Sequence, residues 1–199
     1  MVPSRASALT RRWNDFVGSR IVLGMDINVA SVTDPRDDAA PAESEAAFAA
    51  LVALHHRDLV RLAYAMVGDP DVANDVAQSA WTAAWRNRHR MREPDKVRGW
   101  LLTITANEAR RWLRRRRLWQ LITPTEDRRS SVSADQSDDH IDLVEALQRL
   151  RPRDREILAR RYALGETSLE ISEHVGMSDS GVRVRIGRVL DSLRKELLK

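Results

Sequence analysis

Apolar residues recur at helical intervals in several separate segments of this chain, and polar or charged residues fill the positions between them. The first apolar stripe has three- and four-residue spacing and comprises Phe48, Leu51, His55, Leu59, Leu62 and Met66. Gly68 stops this stripe, and Asp69 with Pro70 has the form of an N-cap and a first helical position. The pattern predicts one helix that starts near Glu45 and a second over residues 70–88.

Helical spacing returns after Pro94 and continues to about Arg117, which predicts a third helix. Residues 122–139 lack any period and are rich in Ser, Asp and Thr, as flexible linkers are. A second helical unit follows, with an apolar stripe at Ile141, Val144, Leu147 and Leu150. Pro152 suits the first turn of the next helix, and Gly165 is expected to end it.

The last part of the chain has the form of a helix-turn-helix. Thr167, followed three residues later by Glu170, makes a capping box for a short helix. A turn over residues 176–181 leads into a final helix from Ser180 to about Leu198. Because no segment alternates as a strand does, the predicted fold class is all-α, with two small helical domains joined by a flexible linker.

The predicted boundaries divide the chain into four parts. Residues 1–44, whose last part is rich in Asp, Pro and Ala, are expected to form a mostly disordered extension. The first domain is expected over residues 45–118, the linker over 119–139 and the second domain over 140–199.

One side of the third predicted helix carries only polar and basic residues: Thr103, Asn107, Arg110 and Arg114, flanked by Arg111 and Arg117. Like charges three or four residues apart on a helix repel each other, and surface helices usually mix both signs. Arginine pairs with phosphate and asparagine with adenine edges, so this side is a candidate nucleic-acid surface. A plain solvated face fits these residues equally well.

The final predicted helix has a clean inward stripe at Val182, Ile186, Val189, Leu190, Leu193 and Leu197. Its opposite side presents Ser180, Gly181, Val184, Gly187 and Arg188, with Arg183 and Arg185 at the flanks. A helix-turn-helix places its second helix in the major groove of DNA. Val184 then suits a thymine methyl group, and the arginines reach phosphates. An ordinary helical hairpin is the alternative.

The second predicted helix buries small residues and tryptophans. Its remaining stripe has the spacing i, i+4, i+7, i+11 and consists of Asp71, Asp75, Gln78 and Thr82. An acidic stripe within a basic domain is a poor DNA surface and a candidate contact for a protein. A plain solvated stripe fits these four residues as well.

Charge placement matters more here than total charge. The formal net charge is only +4, yet residues 86–117 contain 12 Lys and Arg against 3 Asp and Glu. The chain has no cysteine, which excludes disulfides and thiolate chemistry. No apolar run approaches the ~20 residues of a membrane span, so no membrane insertion is predicted and a cytoplasmic location is expected.

Three stretches together resemble the extracytoplasmic-function group of the bacterial sigma-70 family. "DVANDVAQSAWTAAW" (71–85) resembles that family's helix for the polymerase clamp, and "VRGWLLTITANEARRWLRRRR" (97–117) resembles its minus-ten helix. Residues 150–197 resemble its minus-thirty-five reader. The resemblance covers about residues 46–198. It implies sigma domains 2 and 4, no enzyme activity and no cofactor.

The resemblance also implies three partners: core RNA polymerase, promoter DNA and an anti-sigma protein. The polymerase would be bound by Asp71, Asp75, Gln78 and Thr82. The minus-ten element and its melted strand would be bound by Arg88, Arg90, Thr103, Asn107, Arg110, Arg111 and Arg114, the first two of which lie in a loop that holds a flipped base. The minus-thirty-five element would be bound by Thr167, Ser178, Ser180, Gly181, Arg183, Val184, Arg185 and Arg188.

Two other classes of protein are alternatives to this interpretation. A stand-alone repressor or activator would combine the helix-turn-helix with a sensing domain, but a receiver domain needs strands that the pattern does not predict. An enzyme is less well supported. His55 and His56 are adjacent and so lie on different helix faces, His174 is alone, and no Gly-rich phosphate loop occurs. No metal site and no catalytic residue are predicted.

Overall fold

The computed structural model describes residues 41–91, 93–122 and 145–197, and no strand occurs among them. The first domain contains α1 (Pro41–Val67), α2 (Pro70–Arg86) and α3 (Val97–Ile122), with 3₁₀ turns at Arg88–Arg90 and Pro94–Lys96. The second contains α4 (Pro152–Leu158), a π-helical turn (Ala159–Ala163), α5 (Ser168–Val175) and α6 (Asp179–Leu197), preceded by a helical segment at 145–149. The all-α prediction is confirmed.

The first domain is a three-helix bundle in which each helix packs against the other two. The face that α2 buries consists of small residues and one tryptophan: Ala73, Val76, Ala77, Ala80, Trp81 and Ala84. Small side chains let helix backbones approach closely, so the indole of Trp81 is the bulky group that fills the remaining space. Its ring meets Phe48 edge to face at 5.5 Å, and its Nε1 donates to Nδ1 of His56 at 3.2 Å.

The second domain follows the local signals of its sequence closely. The side chain of Thr167 accepts a hydrogen bond from the Glu170 amide and the side chain of Glu170 accepts one from the Thr167 amide, so the predicted capping box is present. Gly176 adopts φ +62°, the left-handed conformation that ends α5 and turns the chain toward α6. Val182, Ile186, Val189 and Leu193 are buried, as the predicted inward stripe of the last helix requires.

Several helix boundaries differ from the prediction: α2 ends at Arg86, α4 gives way to the π-helical turn after Leu158, and the two outer ends of the first domain extend further. α3 continues to Ile122, five residues beyond Arg117, so residues 119–122 are helical and not linker. Arginine, leucine and glutamine are good helix formers, and this last turn needs no packing partner because Trp119 is 68% exposed. α1 begins at Pro41 and so takes in residues 41–44. Residues 1–40 of the predicted extension (1–44) and residues 123–139 of the predicted linker (119–139) lie outside the described residues.

The two domains lie against each other in the described part of the chain. α1 contacts α4 and the π-helical turn, and α3 contacts α5. At Gly99, on the first turn of α3, a Cβ atom would collide with the imidazole of His174 on α5. At Gly68 a Cβ atom would come within 2.6 Å of the Gln148 side chain. The sequence predicted the two domains but not this contact between them.

Candidate nucleic-acid interface

The polar side of α3 is only partly open to solvent. Asn107, Arg111 and Arg114 are exposed, whereas Thr103 and Arg110 are half-buried. One guanidinium nitrogen of Arg110 donates to Oδ1 of Asn107 at 2.6 Å. The other forms an ion pair with the buried carboxylate of Glu156 in the second domain. The sequence suggested a face without acids, and the fold supplies an acid from a distant part of the chain.

Arg110 belongs to an ion network that consists of Asp58, Arg98, Glu166, Arg160, Glu156 and Arg110. Its three central members, Glu166, Arg160 and Glu156, are buried, and its three outer members are half-buried. Its centre is Arg160, whose side chain is fully buried in the π-helical turn. Arg160 donates to Glu156 at 3.3 Å and to both oxygens of Glu166 at 3.1 and 3.2 Å. It also reaches Oγ1 of Thr103, across the domain boundary, at 3.4 Å.

Arg98 completes the network from the first domain. Its guanidinium donates to Asp58 at 2.9 Å, to the backbone oxygen of Leu164 at 3.0 Å and to Glu166 at 3.5 Å. The network therefore contains three arginines and three carboxylates that alternate in space and balance in charge. Buried charges are tolerated only when they are paired and hydrogen-bonded, which these are.

Sequence reasoning missed Arg98, Glu156, Arg160 and Glu166. One signal was available for Arg160. It lies three residues after Ile157 and four before Leu164, which is an inward position on a helix that starts at Pro152. An arginine at such a position needs a buried carboxylate, but periodicity does not show which carboxylate provides it.

The outward side of α6 is open as predicted. Val184 is 54% exposed, and Ser180, Gly187 and Arg188 are also exposed. No partner of the Arg188 guanidinium occurs among the described residues. Arg183 is exposed and pairs with Asp179 one turn earlier at 2.8 Å. An apolar side chain that is half out in solvent beside a free guanidinium suits the base edges and phosphates of a DNA groove.

Arg185, which the sequence predicted to reach phosphate, is engaged by a carboxylate in the described arrangement. Its guanidinium grips both oxygens of buried Asp154 at 2.6 and 2.8 Å, which fastens α6 to α4. The hydrogen bond and the charge of Asp154 raise the pKa of Arg185. This residue is therefore a support for the final helix in the described arrangement.

Thr167 and Ser178 are likewise engaged in helix capping. Thr167 caps α5, and its backbone and side-chain hydrogen bonds lower the pKa of Glu170. The hydroxyl of Ser178 accepts from the amide of Gly181 at 3.1 Å and lies 3.2 Å from the hydroxyl of Ser180. Both residues are exposed, so capping leaves each at the surface beside the outward side of α6.

The acidic stripe of α2 is exposed along its whole length: Asp71, Asp75, Gln78 and Thr82. Thr82 donates its hydroxyl proton to the backbone oxygen of Gln78 at 3.0 Å. Beyond the end of α2, the guanidinium of Arg88 stacks 4.2 Å above the ring of Trp85, and Arg90 is exposed. The structure thus presents the stripe as a continuous surface and leaves Arg90 open to solvent.

His55, His56 and His174 lie at packing contacts, and each has a pKa below the usual value for histidine. Burial lowers the pKa of His55 and of His56, and burial followed by the charge of Arg160 lowers the pKa of His174. In the described residues no group of three or more histidines and carboxylates is arranged to bind a metal ion. None of the described helices is long and apolar enough to cross a membrane.

Family models match both domains. Residues 51–118 match sigma-70 region 2, and residues 140–193 match sigma-70 region 4. The first match includes all of α2 and most of α1 and α3, and the second includes α5 and most of α6. Together they include both basic surfaces described above.

Individual relatives extend this match. The RNA polymerase sigma factor CarQ of Myxococcus xanthus is 32% identical over 155 residues, which cover 76% of this chain and 89% of CarQ. The ECF RNA polymerase sigma factor SigL of Mycobacterium tuberculosis is 28% identical over 81% of this chain and 95% of SigL. The probable RNA polymerase sigma factor RfaY of Xanthomonas campestris is longer, and this chain matches only 42% of its length. A solved structure of CnrH, in complex with the cytosolic domain of CnrY, superposes with a TM-score of 0.59 at 27% identity and covers 78% of this chain and 93% of CnrH.

Proposed function

This chain belongs to the extracytoplasmic-function group of the sigma-70 family, and on that premise we propose how its surfaces direct transcription initiation. α3 contacts the minus-ten element, α6 contacts the minus-thirty-five element, and the acidic stripe of α2 contacts core RNA polymerase. The observation that carries this proposal is the presence, in one chain, of two separate basic helices, each at the surface of its own domain. The factor acts in the cytoplasm with the polymerase and performs no catalysis of its own.

The described arrangement is a closed form that must open before α3 can bind DNA. Thr103 and Arg110 are engaged by the ion network, and both belong to the proposed minus-ten surface. The energy of binding to polymerase and promoter offsets the loss of these contacts. A closed free factor and an open bound factor are two states of one equilibrium, so ligands that prefer either state shift it.

An anti-sigma protein is the third partner that we propose. CnrH, which shares the fold of this chain, was solved with the cytosolic domain of CnrY. A protein that binds both domains at once would hold the promoter surfaces away from DNA.

The direct test is transcription in vitro by core polymerase of a related bacterium from a library of promoters, with and without this chain. If the chain is a sigma factor, core polymerase gives promoter-specific transcripts only when the chain is added. A stand-alone repressor or activator would bind its operator as the free chain, with the same affinity whether polymerase is present or not.

We expect Asp75→Arg combined with Gln78→Ala to weaken binding to core polymerase by about tenfold or more, the scale of one lost interface hot spot. Both side chains are exposed on α2 and neither is needed for folding, so helical content should not change. Competition with a labelled sigma factor for core polymerase measures the effect. The matched control is Glu145→Arg in the second domain. Equal competition by wild type and double variant would show that the stripe is only a solvated face.

Val184→Ser should change which minus-thirty-five sequence is preferred, with a penalty of about 1–3 kcal/mol at one base pair. Val184 has no polar atom, so it reads only shape and methyl groups. Arg183→Ala should weaken binding to all promoters about equally, because a phosphate contact carries no sequence information. Transcription from a randomised minus-thirty-five library by each variant holoenzyme separates the two effects. If the preferred sequence is the same for Val184→Ser and wild type, the helix does not lie in the groove at this residue.

A further inference from the structure

A cleft of about 800 Å³ lies between the C-terminal half of α3 and the start of the second domain. The first domain contributes four arginines to its wall: Arg110, Arg114, Arg116 and Arg117. They come from two consecutive turns of one helix. Such a density of like charge on one side of a cleft is unfavourable unless an anion is nearby.

The second domain contributes four more arginines from the opposite side: Arg149, Arg151, Arg153 and Arg155. No acidic residue occurs among the described residues that line the cleft. The two sets of arginines are far apart in sequence, and the packing of the domains brings them to face each other. The cleft is therefore a product of the tertiary fold rather than a charged segment of sequence.

Few carboxylates offset these charges within the described part of the chain. Arg110 pairs with Glu156 at one end of the cleft, and Arg149 pairs with Glu145 at 3.3 Å on the surface. The guanidinium of Arg116 lies 5.3 Å from the ring of Trp112. These contacts leave most of the eight guanidinium groups with their hydrogen-bonding edges directed to no anion among the described residues.

Arg155 gives a second and independent observation. Its side chain is buried and donates to the backbone oxygen of Met66 and to Oε1 of Gln148, both of which are neutral. Its Nε is buried without any hydrogen-bond partner among the described residues. Burial, and then the charge of Arg117, lower the pKa of Arg155 to about 10. A buried cation that faces another cation gains from an anion placed between them.

We propose that this cleft binds a compact ligand with three or more linked phosphate groups, the chemistry shared by nucleoside triphosphates and inorganic tripolyphosphate. Guanidinium groups bind phosphate oxygens through two parallel hydrogen bonds, so a chain of phosphates can satisfy arginines on both sides at once. The volume of the cleft lies within the range of small-molecule sites. These arginines line two facing walls of one cleft that is open to solvent on its outer side, so a small ligand can enter and contact both walls at once.

This inference rests on the proposed function, because binding of the ligand in the cleft changes the access of promoter DNA to α3. The ligand contacts both domains and so stabilises the closed form. It also uses Arg110 and Arg114, which belong to the proposed minus-ten surface. Occupation of the cleft and engagement of α3 by promoter DNA are then mutually exclusive.

Calorimetric titration of the full chain with tripolyphosphate tests the site. We expect saturable one-to-one binding that is at least about tenfold tighter than binding of orthophosphate, because each added phosphate contacts further guanidinium groups. Titration with ATP distinguishes the two sources of this chemistry. Tighter binding of ATP indicates a nucleotide ligand, and tighter binding of tripolyphosphate indicates an inorganic one. Either result supports the proposed site.

Arg151→Ala combined with Arg153→Ala should weaken tripolyphosphate binding by at least about tenfold, since both residues line the cleft. The control is Arg86→Ala combined with Arg194→Ala, which removes the same charge at exposed positions outside the cleft. Equal losses in the two double variants would show attraction by overall charge alone and overturn the proposal. So would the absence of binding to the wild-type chain.

A further variant tests whether the chain's own carboxylates pair with these arginines. Segment 123–144 contains several acidic residues and joins the two sides of the cleft in sequence. Replacing Asp135, Asp138 and Asp139 by asparagine should leave tripolyphosphate binding within a few-fold of wild type. If only this variant binds tripolyphosphate, the chain's own carboxylates satisfy the arginines and the cleft is not a ligand site.

Discussion

Glu166→Gln is expected to separate the two domains of the free factor while leaving the helices of each domain intact. Glu166 is buried and accepts hydrogen bonds from Arg160 at 3.1 and 3.2 Å and from Arg98 at 3.5 Å. Glutamine keeps the shape of the side chain but removes its charge. Arg160, which is fully buried, is then left with Glu156 as its sole charged partner among the described residues.

The size of the effect follows from what it costs to leave a charge buried without its partner. Removing one member of a buried ion pair typically destabilises a protein by about 3–5 kcal/mol. Unfolding the second domain would be one response, but opening the domain boundary hydrates Arg160 at a smaller loss. Both domains contribute buried apolar residues to one core cluster, and the contacts across the boundary also include the polar ones of Arg98, Arg110 and Arg155, which water can replace. We therefore expect the domain boundary to open before the second domain unfolds.

A pair of fluorophores measures this opening. The chain has no cysteine, so Ser79→Cys in α2 and Ser192→Cys in α6 can be labelled specifically, and both positions are exposed. We expect a longer distance between the labels in Glu166→Gln than in the parent, with equal helical circular dichroism. Glu145→Gln is the control, because its ion pair with Arg149 is 61% exposed on both sides and contributes at most about 1 kcal/mol. An unchanged distance in Glu166→Gln would contradict the role given to the network.

Local signals in the sequence were enough to predict each helix of the two domains. Asp69 with Pro70, and Thr167 with Glu170, mark helix starts because their side chains satisfy amide groups within the same turn. The inward stripe of α6 was equally predictable, since burial follows the helical period. These features depend on residues within a few positions of each other, so the sequence contains them directly.

The contact between the domains depends on residues that are far apart in the chain, and periodicity does not encode it. Arg110 and Glu156 are separated by 46 positions, and neither has a neighbour that identifies the other. For the same reason, the sequence showed Arg185 as one more basic residue of the final helix, whereas the fold pairs it with Asp154. The charge of a helix face can be read from sequence, but the partner that a distant part of the chain brings to it cannot.

The largest loss of promoter binding is expected when Asn107, Arg110 and Arg114 of α3 are all replaced by alanine. Each phosphate contact that is lost should reduce the slope of log affinity against log salt by about 0.9 on duplex DNA. Asn107 and Arg114 are exposed, and opening of the closed form releases Arg110 from Glu156. Binding must therefore be measured with the holoenzyme, in which we expect the domains to be held open.

Under the proposed function, Arg110 has a different partner in each state, and this difference sharpens the comparison of variants. In the closed form it pairs with Glu156, so Arg110→Ala alone both loosens the closed form and removes a promoter contact. Glu156→Gln loosens the closed form and leaves the promoter contact in place. Holoenzyme with Glu156→Gln should therefore keep the salt slope of wild type, whereas the triple variant should have a shallower one. If both variants show the wild-type slope, this side of α3 does not contact phosphate, and its arginines serve the closed form alone.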